Sequence, residues 1–265
     1  MNAAQPLLAG KVAVVTGASR GIGRGIAEAF VAHGARVMIS SRRGASLARV
    51  AEEIGGDGVA WFEANAGDPD AARACVEATV ERFGSVGILV NNAATNPYFG
   101  PMIDIDVPRA MKTVGVNVVG PLIWTQSAWR CGMRETGGSV INVASVGGYT
   151  VEANIGFYNV TKAALLHVTR QLAGELGPGV RVNALAPGLV KTDMSRALWE
   201  GEGREEEIAA RLPLQRLGTV GDIASAAVFL ASDQSAWITG HTIAVDGGSL
   251  VDGVLSRGRD HGPPQ

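Results

Sequence analysis

The stretch from Lys11 to Gly23 reads KVAVVTGASRGIG. Val12, Ala13, Val14 and Val15 form a short unbroken apolar run, as expected of a strand buried on both faces of a parallel sheet. Glycines follow at Gly17, Gly21 and Gly23, and apolar residues then recur at helical spacing (Ile22, Ile26, Ala27, Phe30). Strand, glycine-rich turn and helix make a phosphate cradle. Glycines let the backbone approach a pyrophosphate, and the helix start offers unpaired N–H groups and the favourable end of its dipole. The spacing is G-x-x-x-G-x-G rather than the better-known G-x-G-x-x-G. A glycine-rich turn without a ligand is the competing reading, and the flanking strand and helix weigh against it.

Outward from this stretch the same alternation continues. Strands are expected near 35–40, 59–64, 86–93, 139–145, 180–187 and 238–248. Helices are expected near 44–54, 69–83, 106–133, 156–176 and 221–231, with an irregular, lid-like stretch from 189 to 217. Alternating strands and helices imply an α/β fold: a doubly wound parallel sheet of about seven strands, right-handed crossovers, and helices on both faces. No repeat, linker or break in composition interrupts the chain, so residues 1–255 read as a single domain and 256–265 as a polar, flexible tail. Ligands in such sheets lie beyond the carboxyl ends of the strands, where the strand order reverses.

Size and composition bound the function. The chain has 265 residues, 46% of them hydrophobic, enough for a large core. A net charge of −2 gives no reason to expect nucleic acid. The acidic run from Glu200 to Glu207 reads as a solvated helix face. Cys75 and Cys131 form no metal or redox motif, and two buried, reduced cysteines in a cytoplasmic protein are the expectation. His33, His167, His241 and His261 lack metal-like spacing and read as structural or surface residues. Neither a signal peptide nor an apolar run of membrane-spanning length is evident.

The string YNVTK places Tyr158 and Lys162 one helical turn apart, and Ser145 lies thirteen residues before the tyrosine. Side chains at i and i+4 share a helix face. A lysine ammonium beside a phenol favours the phenolate and lowers a pKa that is otherwise about 10. A serine hydroxyl at a neighbouring strand end would polarise the same substrate oxygen. Alone, each has an ordinary reading, Ser145 as a strand-end serine and Tyr158 as an interface tyrosine.

TGASRGIG (Thr16 to Gly23), NNAA (Asn91 to Ala94), Asn117, Ser145, Tyr158, Lys162 and the pair Pro187–Gly188 occur in this order. Together they resemble the short-chain dehydrogenase/reductase family over about residues 8 to 249. The resemblance implies a Rossmann-type fold and an enzyme that moves hydride between a nicotinamide cofactor and a carbonyl or alcohol. It implies Tyr158 as general acid in reduction and base in oxidation, Lys162 holding the nicotinamide ribose and lowering the tyrosine pKa, and Ser145 binding the substrate oxygen. Asn117 would position a water linking Lys162 to solvent.

For the cofactor it implies contacts from Gly17, Ser19, Arg20, Gly21, Ile22 and Gly23 in the turn. It implies contacts from Asn65 and Ala66 at the adenine, Asn91 and Ala93 beside the adenosine ribose, and Pro187, Gly188, Val190 and Thr192 at the nicotinamide. Asn65 stands where many relatives carry aspartate, and Ala94 replaces a common glycine.

The second strand leads into Ser41, Arg42 and Arg43, without the carboxylate that usually accepts the ribose 2′-OH of NAD. Arginine suits a phosphate instead. Basic residues at Arg20 and Arg42, with Ser41 in place of an acid, go with NADP in this family. NADP(H) is therefore expected, with NAD(H) as the alternative.

Substrate choice is expected to lie with Tyr98 and Phe99, with Tyr149, Asn154 and Ile155, and with Met194, Ala197, Leu198 and Trp199 of the lid. Together they would form an apolar, partly aromatic pocket, with Arg196 placed to meet a carrier phosphate. The strings NPYFG, APGLVKTDMSRALW and LQRLGTVGDIA look close to two branches: 3-oxoacyl-(acyl-carrier-protein) reductases and NADPH-dependent carbonyl or retinal reductases. The expectation is an NADPH-dependent ketone reductase with 3-oxoacyl thioesters as the leading substrate class. Reduction of apolar ketones, alcohol or sugar oxidation, and a non-catalytic nucleotide sensor are the alternatives. Relatives are usually homotetramers, with a homodimer as the alternative, and Trp124, Leu165 and Trp237 are candidate contact residues.

Overall fold

The computed structural model describes residues 6–251, so the expected tail at 256–265 lies outside the described residues. Seven parallel strands form one sheet in the order β3-β2-β1-β4-β5-β6-β7. The strands are β1 (Val12–Thr16), β2 (Arg36–Ser41), β3 (Val59–Glu63), β4 (Ile88–Asn91), β5 (Gly138–Val143), β6 (Val180–Pro187) and β7 (Thr242–Val245). The order reverses between β1 and β4, because the chain runs outward through β2 and β3 and then returns to the other side of β1. This is the doubly wound, Rossmann-like arrangement.

Both faces are covered, and the period-2 alternation of a strand sorts side chains between them. Ala13 and Val15 of β1 join Val37 and Ile39 against Ile26 and Phe30 of α1 (Gly21–Ala32), Leu47 and Val50 of α2 (Gly44–Ile54) and Ile223 of α10 (Val220–Ala231). Val12 and Val14 face the other way. There they meet Cys75 and Val76 of α3 (Pro69–Phe83), Trp124 and Ala128 of α5 (Gly120–Ala128) and Leu172 of α7 (Gly156–Leu176). The unbroken VAVV run is thus the signature of a strand with two dry faces.

Local chemistry sets the helix ends. Asp68 accepts from the N–H groups of Asp70 and Ala71 to start α3, Pro69 takes the first position, and Gly84 ends the helix in a left-handed conformation. Thr219 and Asp222 form a reciprocal capping box at the start of α10.

The strand edges differ from expectation by a few residues, most at β4 and β7, which shorten to Ile88–Asn91 and Thr242–Val245. The expected long helix is interrupted. α4 (Val107–Val114) passes through a π-helical turn at Gly115–Val119 into α5, and beyond α5 the backbone kinks at Gly132 (φ +155°) before α6 (Arg134–Thr136). The lid is less irregular than expected, since it holds α8 (Arg196–Trp199) and α9 (Arg204–Arg211). α9 carries most of the acidic run read as a solvated helix face. Trp124 and Leu165 are core residues, whereas Trp237 is fully exposed. No helix among the described residues is long and apolar enough to cross a membrane.

Candidate active site

The strand order places a crevice beyond the carboxyl ends of β1 and β4, and side chains from both strands build its floor. Thr16 Oγ1 accepts from the backbone N–H groups of Asn92 (3.0 Å) and Ala93 (3.1 Å). Asn92 Nδ2 donates back to Thr16 O (2.9 Å) and Gly17 O (3.2 Å). A Cβ on Gly17, whose φ is +66°, would lie 2.8 Å from Ala93 Cα. A Cβ on Gly23 would lie 2.4 Å from Asn92 Nδ2, so this glycine serves the turn's own packing. Gly21 opens α1 with φ +56°, and its nearest neighbour would be the Thr192 methyl at 3.6 Å. Neither a side-chain cap nor an acidic residue occupies the first turn of α1. The uncapped donors, with Ser19, Arg20 and Ile22 beside them, suit a pyrophosphate. Arg20 is exposed, with a guanidinium nitrogen 3.8 Å from Asp193 of the lid.

Two asparagines in succession have opposite fates. Asn91 ends β4, and its amide nitrogen points toward Pro121 O, Thr125 Oγ1 and Asn142 Oδ1 in the core. Its side chain therefore braces the sheet, which leaves only its backbone to pass beside the adenosine ribose as expected. Asn92, not singled out from the sequence, secures the glycine turn. Period-2 alternation holds the signal: consecutive residues leaving a strand face opposite ways.

At the end of β2, where the adenosine ribose is expected, Ser41 is half-buried, and Arg42 is exposed with no ion pair among the described residues. The residues that follow β2 include no carboxylate, yet the fold supplies one. Glu63 of β3 lies in register with Ser41, and its Oε2 accepts the Gly44 N–H at 2.7 Å. Asn65 Oδ1 accepts from Gly67 N at 3.2 Å and keeps a second lone pair for a donor. Ala66 O accepts the Trp124 indole N–H at 3.1 Å.

The YNVTK string occupies the start of α7, over the end of β5. Lys162 is 2% exposed; its Nζ donates to Val143 O at 2.7 Å and lies 5.4 Å from the Tyr158 ring centroid. Burial pushes the lysine down to about 7. Burial, and then the negative charge of Glu152, pushes the Tyr158 phenol above its ordinary range. No lowering by Lys162 enters the causes of that shift, and desolvation of the phenol dominates.

Ser145 stands just past β5, and its Oγ accepts from Gly147 N at 3.1 Å. Asn117 is buried in the π-helical turn; its Oδ1 accepts from Thr95 N (2.8 Å) and its Nδ2 donates to Thr95 O and Thr161 Oγ1 (both 3.0 Å). It ties the loop after β4 to the residue preceding Lys162. Single π-helical turns displace a carbonyl from the helical ladder and occur mostly at functional sites.

Beyond β6, Gly188 N donates to Val245 O, and a Cβ there would lie 2.8 Å from Asp246 Cα. Val190 is buried and bridges to Gly218. Pro187, Gly188, Val190 and Thr192 follow closely along the chain at and beyond the end of β6, the Thr192 hydroxyl lies 3.1 Å from Ser195 Oγ, and the Thr192 methyl faces Gly21 of the glycine turn. Next to them opens a cavity of about 410 Å³, lined by Phe99, Glu152, Ala153, Asn154, Ile155, Leu189, Leu198, Arg204 and Ile208.

Some expected pocket residues are engaged elsewhere. The Tyr98 hydroxyl donates to Pro101 O, Trp199 Nε1 donates to Ser195 Oγ, and Arg196 pairs with Asp193 at 2.8 Å. Arg204 stands at the cavity instead.

Fold and crevice together define a nucleotide-binding α/β protein in which a buried lysine packs against a half-buried tyrosine. A family model described as "Enoyl-(Acyl carrier protein) reductase" matches residues 17–249. The chain is 40% identical over 245 residues to "Dehydrogenase/reductase SDR family member 4" of Sus scrofa, covering 91% of this chain and 88% of that one. It is 38% identical to "Short-chain dehydrogenase/reductase SDRA" of Arabidopsis thaliana over 243 residues, covering 91% and 95%. The solved "Short-chain dehydrogenase/reductase SDR:Glucose/ribitol dehydrogenase" of Brucella melitensis superposes with a TM-score of 0.87 at 32% identity, covering 92% and 98%. The chain belongs to the short-chain dehydrogenase/reductase family, oxidoreductases that use NAD(P)(H).

Proposed function

We propose that this chain reduces a ketone to a secondary alcohol with NADPH, and that 3-oxoacyl thioesters are its leading substrate class. The buried Lys162 against the Tyr158 ring is the observation that carries the reading. When bound, the dihydronicotinamide supplies a hydride to the carbonyl carbon.

The chain's own groups handle the oxygen. Tyr158, held as a phenol by burial, has the proton that the carbonyl oxygen needs, which suits the reducing direction. Ser145 Oγ has a hydroxyl hydrogen to donate to the same oxygen, since its bond to Gly147 N uses only a lone pair. A phenolate left on Tyr158 raises the proton affinity of Lys162, so the pair passes the charge between them. Asn117, bonded to Thr161 beside Lys162 in the chain, is assigned to position a water linking the lysine to solvent. The pyrophosphate is assigned to the start of α1, with Gly17, Ser19, Arg20, Gly21, Ile22 and Gly23. Arg42 and Ser41 are assigned to the adenosine ribose, and Asn65 to the adenine. Pro187, Gly188, Val190 and Thr192 are assigned to the nicotinamide.

Phe99, Ile155, Leu189, Leu198 and Ile208 give the cavity apolar walls that suit an acyl chain, and Arg204 suits a carrier phosphate. The same walls favour, as a second reading, an apolar aromatic ketone. Assembly as a homotetramer in the cytoplasm completes the proposal, with the fully exposed Trp237 as a candidate apolar contact.

NADPH oxidation with acetoacetyl-CoA and with an aromatic diketone tests the substrate class through kcat/KM. Preference for the diketone selects the second reading. Tyr158→Phe tests the mechanism: turnover should fall about 10²- to 10⁴-fold, with nucleotide affinity retained. Equal turnover by the two proteins would sink it.

A further inference from the structure

The end of β2 carries an anion that the sequence conceals. Glu63 and Ser41 are register partners on adjacent strands, and Ala64 N donates to Ser41 O at 2.9 Å, locking the register. Glu63 Oε2 accepts the Gly44 N–H at 2.7 Å, at the start of α2. No side chain of the N-cap residue, Arg43, caps that helix. The carboxylate fills the place instead, held by the donor and by the helix dipole. A Cβ on Gly44 would lie 2.6 Å from Glu63 Oε2 and 3.2 Å from the Trp61 ring, so the glycine allows this close approach. Among the described residues, Glu63, Arg42 and Arg43 make no ion pair.

A negative charge and two unpaired positive charges thus flank the residue at which the adenosine ribose is read. A carboxylate there accepts the 2′-OH of NAD and opposes the 2′-phosphate of NADP. It ordinarily comes from the end of the second strand, which here offers only Ser41.

We propose that Glu63 is a specificity-determining residue that offsets Arg42 and holds the nucleotide site open to NADH as well as NADPH. This rests on the reading of the glycine turn and the β2 end as a dinucleotide site. Glu63→Gln keeps an acceptor for the Gly44 N–H and removes the charge. Dissociation constants for NADPH and NADH, read from nicotinamide fluorescence at fixed ionic strength, provide the test. In the parent protein the two should differ by less than about tenfold, and Glu63→Gln should tighten NADPH about tenfold with NADH unchanged or weaker. The gain should shrink in high salt, because the groups are solvent-exposed. Arg42→Gln, an independent variant, should move the ratio the opposite way.

A ratio unmoved by Glu63→Gln but moved by Arg42→Gln would overturn the role of Glu63 while leaving the dinucleotide site standing. Binding of neither nucleotide to the parent protein would overturn the dinucleotide reading, and this inference with it.

Discussion

Replacing Lys162 by methionine should stabilise the fold at neutral pH while removing the chemistry assigned to it. The side chain is 2% exposed, and burial moves it from its ordinary value of 10.5 to about 7. At about 1.36 kcal/mol per pK unit, charging the buried amine is disfavoured by about 5 kcal/mol relative to the unfolded chain. At pH 7 the unfolded lysine is fully protonated, so the folded state bears nearly all of that penalty. Methionine has a similar reach and no charge. The offset is Val143 O, which loses its donor at about 1 to 3 kcal/mol. A net gain of about 1 to 3 kcal/mol follows at pH 7.

The sign with pH is definite. Between about 7 and 10.5 the unfolded chain binds the proton and the folded chain does not, so parental stability rises with pH. The advantage of the variant must therefore shrink as pH rises and reverse near pH 10. Tyr158 works the other way. Its folded pKa lies above the ordinary 10.0, so its contribution is present below 10 and lost as pH climbs beyond. Urea denaturation of both proteins at pH 6.5, 8 and 9.5 would read the difference. A variant less stable than the parent at every pH, with parental stability flat from 7 to 9, would refute the reasoning.

Other outcomes follow from the same contacts. Gly17→Ala forces a left-handed residue and sets a Cβ 2.8 Å from Ala93 Cα, so thermal unfolding should show a loss of about 1 to 3 kcal/mol, with weakened nucleotide binding. Asn91→Ala should lower stability by about 2 to 3 kcal/mol by unpairing buried groups, yet change the NADPH dissociation constant less than about twofold. A tenfold loss of affinity at unchanged stability would instead show the Asn91 side chain acting on the cofactor. Thr219→Ala should remove about 1 kcal/mol with the cap of α10, seen as a lower urea midpoint. Hydrogen bonds from Arg216, and then from the Thr219 backbone, hold the Asp222 carboxyl well below the usual range. Its stabilisation is present above about pH 4 and lost as the pH falls further, so Asp222→Asn should flatten the acid limb of a melting-temperature profile.

The parts of the site that were legible in the sequence are those written in contiguous residues. KVAVVTGASRGIG encodes its strand, its turn and its helix within thirteen residues, and YNVTK encodes a shared helix face by its spacing alone. The parts that were not legible depend on which strands lie side by side. Glu63 reaches Ser41 only through the register of β3 on β2, twenty-two residues apart in the chain. Asn92 rather than Asn91 faces the turn because β4 ends one residue before it, and a strand edge is poorly marked by composition. The phenol's direction of titration likewise depends on burial and on Glu152, seven residues after Ser145, which no motif isolates. Arg204 supplants Arg196 at the cavity because Asp193, one helical turn away, already claims the latter.

The link between Thr16 and Asn92 has a consequence for how the chain assembles. It joins residues seventy-six apart, across a strand pair, β1 with β4, that cannot exist until β2 and β3 have been made. During synthesis the first three strands and the complete glycine turn emerge without the floor that shapes the crevice. Such long-range closure is slow compared with helix formation. A nascent chain therefore passes through a stage that has every glycine of the cradle but no grip on a nucleotide. Acquisition of that grip is a natural clock for the moment the central strands meet.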